Sequence, residues 1–143
     1  MSDCIFCKLL AGELPMSLVF QDEYCFATLD IDPINPGHVL VIPKRHAASL
    51  AELDDVTGAH MFNAARTVAA AMRKATAIKC EGVNLFLADG AVAGQDVFHA
   101  HLHIRPRYAG DEVRSQYPAG FEKRPKPNRE TLDSLAASIK CHL

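Results

Sequence analysis

Several features that would place a chain in a specialised class are missing from this sequence of 143 residues. No stretch is both long and apolar enough to cross a bilayer, and the opening residues lack the basic flank and apolar stretch of a secretory signal. The five cysteines are an odd number that does not resemble a disulfide framework. We therefore expect no membrane partner, no export and a cytoplasmic location.

A strong charge of either sign is missing as well. The net charge of -2 provides no sequence-wide basic field, so we expect no specific nucleic-acid partner. The C-terminal third is locally basic, and solvation alone would explain those charges.

What is present is the composition of an ordinary globular domain, with 49% hydrophobic and 22% charged residues. No internal repeat or low-complexity run divides the chain, and its length fits one domain. We therefore expect a single domain over residues 1–143. Its core covers about residues 4–108, and residues 109–143 form a C-terminal extension in which helical spacing returns near the end.

Hydrophobic periodicity predicts the secondary structure. A short apolar segment predicts a helix over residues 4–11, and apolar residues at steps of four and three after Asp54 predict a long helix that ends near residue 75. Strand-like segments cover residues 17–20, 24–31, 38–42, 83–87 and 98–104. These elements predict an α+β fold, a five-stranded antiparallel sheet with the long helix across one face.

Three histidines, His99, His101 and His103, alternate with apolar residues in the last of these segments. On a strand, this period of two puts all three imidazoles in one row on one face. Imidazoles with an ordinary pKa of about 6.5 can be mostly neutral at pH 7, and a free ring nitrogen can attack phosphorus. The central residue, His101, would then be the nucleophile, flanked by donors for the developing charge. A histidine metal site or a purely structural row would explain the same pattern.

The loop before the histidines has features of an anion site. Gly90 and Gly94 let the backbone approach an anion closely, and Gln95 can offer an amide N–H to a phosphate oxygen or to a leaving group. Asp96 is at odds with this interpretation, because a carboxylate repels a phosphate unless it points away or meets a cation.

Residues 94–107 resemble the signature of the histidine-triad (HIT) family, in which three histidines alternate with apolar residues. The resemblance continues through residues 35–44 and 30–31 to residues 4–8, so it covers residue 4 to about residue 108. It implies the HIT-like fold. It also implies a hydrolase or transferase that acts on the α-phosphate of purine nucleotide conjugates, such as dinucleoside polyphosphates or nucleoside phosphoramidates, through a nucleotidyl-histidine on His101.

The resemblance assigns roles to the residues around the nucleophile. His103 would hydrogen-bond the phosphate, Gln95 would contact the scissile phosphate, and Asp30 would hold the ribose hydroxyls. Phe6 and Ile31 would line the base pocket. The expected catalytic residues are His101, His103, His99 and Gln95, and the expected substrate contacts are Phe6, Asp30, Ile31, Gly94, Gln95, Asp96, His101 and His103.

Two residues depart from the family pattern. Ala88 stands where many members have an asparagine, and Asp96 stands where a small hydroxyl residue is common. With both departures, a second class of function stays open beside the enzyme, a nucleotide-binding interaction protein with little or no turnover.

Cys4 and Cys7 have the spacing of a zinc knuckle, and a tetrahedral structural site needs two further nitrogen or sulfur ligands. In the zinc-bearing bacterial branch that this chain resembles, those ligands match His46 and His99. The resemblance therefore implies structural zinc on Cys4, Cys7, His46 and His99. Two small core cysteines would explain the same spacing, and a zinc-organised structural module without a nucleotide site is a third class of function.

Family members are usually homodimers with the long helix at the interface, so the resemblance implies a homodimer through residues 56–75. A solvated helix face or a monomer core would explain the same residues. His38 and His60 are isolated in the sequence. We therefore predict that they are strand-end or surface residues, and we expect neither to have a role in the site.

Overall fold

The structure is a computed structural model that describes residues 3–113 and 124–143. Its helices are α1 (Ile5–Leu10), α2 (Asp55–Lys74) and α3 (Arg129–Lys140), and its strands are β1 (Leu18–Gln21), β2 (Cys25–Leu29), β3 (Val39–Pro43), β4 (Gly82–Phe86) and β5 (Leu102–Arg107). The strands form one antiparallel sheet in the order β1-β2-β3-β5-β4. The predicted α+β fold is confirmed, with strand ends shifted by one or two residues except in β5.

The central strands β2 and β3 are buried along their whole length, and alternate residues serve two separate cores. On one face, Ala27, Val39 and Val41 pack in a core with α2 and α3. On the other face, Phe26 and Leu40 pack in a smaller core with residues from α1. The sheet therefore has helices α2 and α3 on one side and α1 on the other, and the candidate site lies on the side of α1.

Helix α2 has the start and the apolar face that the sequence predicts. The Asp54 carboxylate accepts a hydrogen bond from the Thr57 N–H at 2.8 Å, a cap that contributes about 1 kcal/mol. Met61, Val68 and Met72 are buried in the core against the sheet, where truncation of one such side chain to alanine costs about 2–5 kcal/mol. Within the described residues, no helix is both long and apolar enough to span a bilayer.

The prediction of a strand over residues 98–104 is wrong in its first half, since β5 begins at Leu102. Register explains the difference. Strand β3 pairs with β5 only as far as Val41, opposite Leu102. Beyond that point the Ala100 N–H donates to the Ala47 carbonyl at 2.7 Å, outside the sheet. The expectation that the three imidazoles form one row on a strand is therefore wrong, because His99 and His101 both precede β5 and only His103 lies on it.

Candidate active site

A cavity of about 450 Å³ opens on the α1 side of the sheet, and His101 and His103 line it. Alternation along β5 accounts for His103, because Leu102 and Ile104 belong to the core on the opposite face. Other lining residues come from α1, the end of β2, the loop before β5 and the start of α3, including Phe6, Asp30, Ile31, Asp96, Val97 and Arg129. The structure thus gathers six of the eight expected substrate contacts around one cavity.

The buried imidazole of His101 has a defined tautomer. Its Nδ1 lies 2.8 Å from the main-chain carbonyl oxygen of His99. Because a carbonyl can only accept, Nδ1 carries the hydrogen and donates it, which leaves the lone pair on Nε2. The Phe6 ring packs edge-on against this imidazole at 5.0 Å between centroids. His101 therefore lines the cavity with a ring whose Nε2 has an unprotonated lone pair.

His38 lies behind His103, so the expectation that it has no role in the site does not match its position. The Ile34 N–H donates to its Nδ1 at 3.0 Å, so the hydrogen of the neutral ring is on Nε2. That Nε2–H donates to Nδ1 of His103 at 2.9 Å. The hydrogen of neutral His103 is then on its own Nε2, which makes this nitrogen a donor.

The turn before β3 fixes the place of His38. Gly37 has φ of 98°, and a Cβ at this position would lie 2.9 Å from the side chain of Ile78. The Asn35 side chain donates to the Pro106 carbonyl at 2.9 Å, which ties the turn to β5. A glycine and an asparagine in this turn thus hold His38 beside His103.

Burial keeps these two rings neutral. The pKa of His38 lies well below its usual value because the ring is desolvated and because His103 is close. The pKa of His103 is lowered to about 3, mainly by desolvation and then by the nearby His101 and Arg105. Both rings therefore act as hydrogen-bonding groups rather than as cations at neutral pH.

Asp30 is the carboxyl group of this cluster. Its Oδ2 lies 3.5 Å from His38 Nε2 and 4.0 Å from His103 Nδ1, and its Oδ1 accepts from the Asp32 N–H at 2.8 Å. Desolvation, followed by repulsion from Asp32 and Asp96, raises its pKa to about 6. We call Asp30, His38 and His103 the Asp/His cluster.

The loop residues Gly94 and Gln95 lie beside the cavity rather than among its lining residues. The buried Gln95 amide donates to the carbonyls of Ala48 and Val97 at 2.7 and 3.1 Å and accepts from the Gly90 N–H at 2.8 Å. Gly94 has a left-handed conformation with φ of 92°. Gln95 thus braces the loop, and its contact with a scissile phosphate stays a prediction.

Four expected metal ligands come together, two from the start of α1, one from the segment after β3 and one from the segment before β5: Cys4, Cys7, His46 and His99. Cys4 Sγ lies 3.3 Å from His99 Nδ1, and Cys7 Sγ lies 3.4 Å from His46 Nδ1 and 3.7 Å from His99 Nδ1. We call Cys4, Cys7, His46 and His99 the Cys/His cluster; its four donor atoms lie within 4.8 Å of one another.

The chemistry of the Cys/His cluster fits a tetrahedral zinc ion. Two sulfur and two nitrogen ligands at usual Zn–S and Zn–N lengths have edges of about 3.4–3.8 Å. The distances between donors in this cluster are close to those edges. In addition, His99 Nε2 donates to the Pro43 carbonyl at 2.8 Å, so the lone pair of this ring is on Nδ1, beside the sulfurs.

His99 therefore belongs to the Cys/His cluster through its side chain and to the His101 site through its carbonyl. His60 lies outside the site. Its Nδ1 is hydrogen-bonded to Asp22 Oδ2 at 2.8 Å, and its ring packs on Tyr24. None of these three residues lines the cavity.

The C-terminal extension contributes Lys126 and Arg129 to the cavity. From the sequence, solvation alone would explain the charges of these residues. Arg129 is held in place, since it donates to the Ser17 hydroxyl at 2.8 Å. The signal that could have found these residues is the concentration of basic side chains shortly before α3.

Comparisons with known proteins identify the family of this chain. A "HIT domain" family model matches residues 11–110. "Protein hit" of Bacillus subtilis is 42% identical over 138 residues, which cover 96% of this chain and 92% of that protein. "Adenylylsulfatase HINT3" of Arabidopsis thaliana is 39% identical over 110 residues, which cover 77% of this chain and 55% of that protein.

Among solved structures, a zinc-bound histidine triad family protein from Mycobacterium smegmatis superposes with a TM-score of 0.83 at 32% identity, covering 99% of this chain and 93% of that chain. The family model spans well over half of this chain and includes all three histidines of the motif. The chain therefore belongs to the HIT domain family.

Proposed function

We propose that this protein is a nucleotide-phosphate hydrolase or transferase that cleaves purine nucleotide conjugates at the α-phosphate through a nucleotidyl-histidine on His101. The observation that carries the proposal is the hydrogen bond from His101 Nδ1 to the His99 carbonyl at 2.8 Å. It directs the lone pair of Nε2 toward the cavity, as an attack on phosphorus requires.

The proposed reaction has two steps. The Nε2 lone pair of His101 forms a bond to the α-phosphorus, and the bond from phosphorus to the leaving group breaks, so that the leaving group takes the bonding pair and a proton from solvent. Water then attacks the same phosphorus, the P–N bond breaks, and the nucleoside monophosphate leaves. In the intermediate the ring is cationic, and the His99 carbonyl stabilises its Nδ1–H.

Two neighbouring groups support this assignment. His103 donates from Nε2 to a phosphate oxygen, because the hydrogen bond from His38 occupies its Nδ1. Asp30 accepts hydrogen bonds from the ribose hydroxyls once it is ionised, which occurs above its pKa of about 6. The apolar wall of Phe6, Leu9 and Met16 suits a flat purine base.

We further propose that the Cys/His cluster binds structural zinc. A bound ion would cross-link α1 to the segment before β5. The chemical step does not require the ion. The proposal is supported by the donor set described above and by the related histidine triad family protein from Mycobacterium smegmatis, which is zinc-bound. Because Phe6 lies between Cys4 and Cys7 in the chain, an ordered cluster also orders one wall of the cavity.

We also propose a cytoplasmic homodimer in which residues 1–143 form one domain. Val56 and Phe62 are exposed side chains of α2, and β4 lies at the edge of the sheet with Leu85 exposed. A second copy of the chain would bury these side chains. Sedimentation equilibrium at several concentrations tests this proposal, and a purely monomeric chain would overturn it.

The decisive experiment is intact-protein mass spectrometry without acid after incubation with adenosine and guanosine phosphoramidates and dinucleoside polyphosphates. We expect a nucleotidyl adduct or nucleoside monophosphate release by the wild type and neither by His101→Ala, a loss of about 10³-fold or more. The matched control is His60→Ala, which removes a histidine outside the cavity. If nucleotide binds while the wild type forms no adduct and no product, the chain is a nucleotide-binding interaction protein instead.

A further inference from the structure

Asp96 places a carboxylate beside the nitrogen to which we assign the attack. Its Oδ1 lies 3.7 Å from Nε2 of His101, and its side chain is 80% exposed. The same Oδ1 accepts a hydrogen bond from the Val97 N–H at 2.9 Å. The preceding residue, Gln95, is buried and bonded on three sides, so the backbone that carries Asp96 is fixed.

This position puts the carboxylate close to any reacting group. A phosphorus atom about to be attacked lies about 3–3.5 Å from the nucleophile. Since Asp96 Oδ1 lies 3.7 Å from the same nitrogen, the carboxylate oxygen and the phosphorus are no more than about 7 Å apart. That separation is within the Debye length of about 8 Å at physiological ionic strength, so the charge of Asp96 is only partly screened there.

The cavity around Asp96 contains charges of both signs. Asp30 and Asp32 also line it, and the field of Asp96 is one cause of the raised pKa of Asp30. The cationic lining residues are Lys126 and Arg129 from the C-terminal extension. An anionic group near His101 therefore meets a fixed carboxylate there, whereas an ammonium group is attracted by it.

We propose that Asp96 is a specificity-determining residue that selects nucleotide conjugates by the charge of the leaving group. It disfavours anionic leaving groups such as polyphosphates and favours amine leaving groups that carry an additional ammonium group. The inference rests on the proposed function, since it concerns the second half of the same substrate.

The test uses three adenosine 5′-phosphoramidates with leaving amines of similar length that end in an ammonium, a methyl or a carboxylate group. The bond that breaks is the same in all three. For the wild type we expect kcat/KM to fall in that order, by about tenfold for each unit of charge. In Asp96→Asn and Asp96→Ser the three values should agree within about threefold, because the charge is gone. Asp55→Asn, an exposed carboxylate on α2, is the matched control and should keep the wild-type order.

The outcomes separate this inference from the proposed function. Turnover that depends on His101, with the same ratio of ammonium to carboxylate substrate in wild type and Asp96→Asn, overturns the role of Asp96 alone. Absence of His101-dependent turnover overturns the proposed function. In that case the dissociation constants of the three conjugates are measured for wild type and Asp96→Asn, to decide whether Asp96 selects by charge in binding. An equal ratio of the ammonium to the carboxylate dissociation constant in both proteins would overturn the role of Asp96.

Discussion

The Cys/His cluster and the Asp/His cluster use the same residue type in opposite ways. In the first, His99 donates from one ring nitrogen to the Pro43 carbonyl, which leaves the other nitrogen with a lone pair beside two sulfurs. In the second, His38 accepts from the Ile34 N–H, which leaves its other nitrogen as a donor to His103. A hydrogen bond to a main-chain carbonyl thus leaves a ring nitrogen with a free lone pair, and a hydrogen bond from a main-chain N–H leaves a ring nitrogen that donates.

His101 donates to a main-chain carbonyl, as His99 of the Cys/His cluster does, although its ring contacts His103 of the Asp/His cluster. Its donation to the His99 carbonyl leaves a lone pair, and its ring lies 4.9 Å from that of His103. A ring nitrogen with a free lone pair on His101 and a donating nitrogen on His103 therefore lie in neighbouring rings. Each of the following experiments disturbs one of the two clusters.

The largest effect is expected for Cys7→Ser, which removes one sulfur from the Cys/His cluster. Bound zinc should fall from about one ion per chain to a small fraction, and the melting temperature should fall by about 10 °C or more, because a structural ion stabilises the folded state. Elemental analysis and calorimetry measure both quantities. The exposed Cys141→Ser is the matched control. An unchanged metal content in Cys7→Ser would rule out this sulfur as a ligand.

An intermediate effect is expected for His38 in the Asp/His cluster. His38→Leu removes the donor to His103 and should lower kcat by about 100-fold, whereas His38→Gln can still donate and should lose about tenfold. Nitrogen chemical shifts of His103 report whether its hydrogen leaves Nε2 in the leucine variant. Zinc content should not change in either variant. Equal kcat values for the two variants would show that the donated hydrogen bond has no role.

The smallest effect is expected for Asp30→Asn, and it depends on pH. The pKa of Asp30 is about 6 in the folded protein and 3.8 when unperturbed, so ionisation of this group costs stability as the pH rises through 6. The variant should therefore raise the free energy of unfolding by about 1–3 kcal/mol at pH 7.5 and hardly at all at pH 4. Denaturant titrations at both pH values measure this. A gain of equal size at both would exclude ionisation as the cause.

Most of the fold could be predicted from the sequence because its signals are local. The Asp54 cap, the apolar spacing of α2 and the apolar segments of β2 and β3 depend on residues close in the chain. The beginning of β5 could not be predicted, because the segment from Phe98 to His101 is held by the distant Ala47 and Pro43.

The candidate site also has one part that local sequence signals predict and one part that depends on distant contacts. The histidine motif identified His101 and His103 as candidates, and in the structure they line the same cavity as Phe6 and Asp30. His38 was missed because its partner is 65 positions away in the chain, so that it looks isolated in the sequence. The contribution of the C-terminal extension was missed for the same reason.

The main-chain partners of the histidines have one consequence for genetics. The groups that set the hydrogen positions on His38, His99 and His101 are the Ile34 N–H, the Pro43 carbonyl and the His99 carbonyl. Replacement of the side chain at Ile34 or Pro43 by alanine leaves those atoms in place. A deep mutational scan would therefore report the packing of these two buried side chains and not the peptide groups that determine the protonation pattern of the site. Backbone ester substitution would be needed to probe those groups.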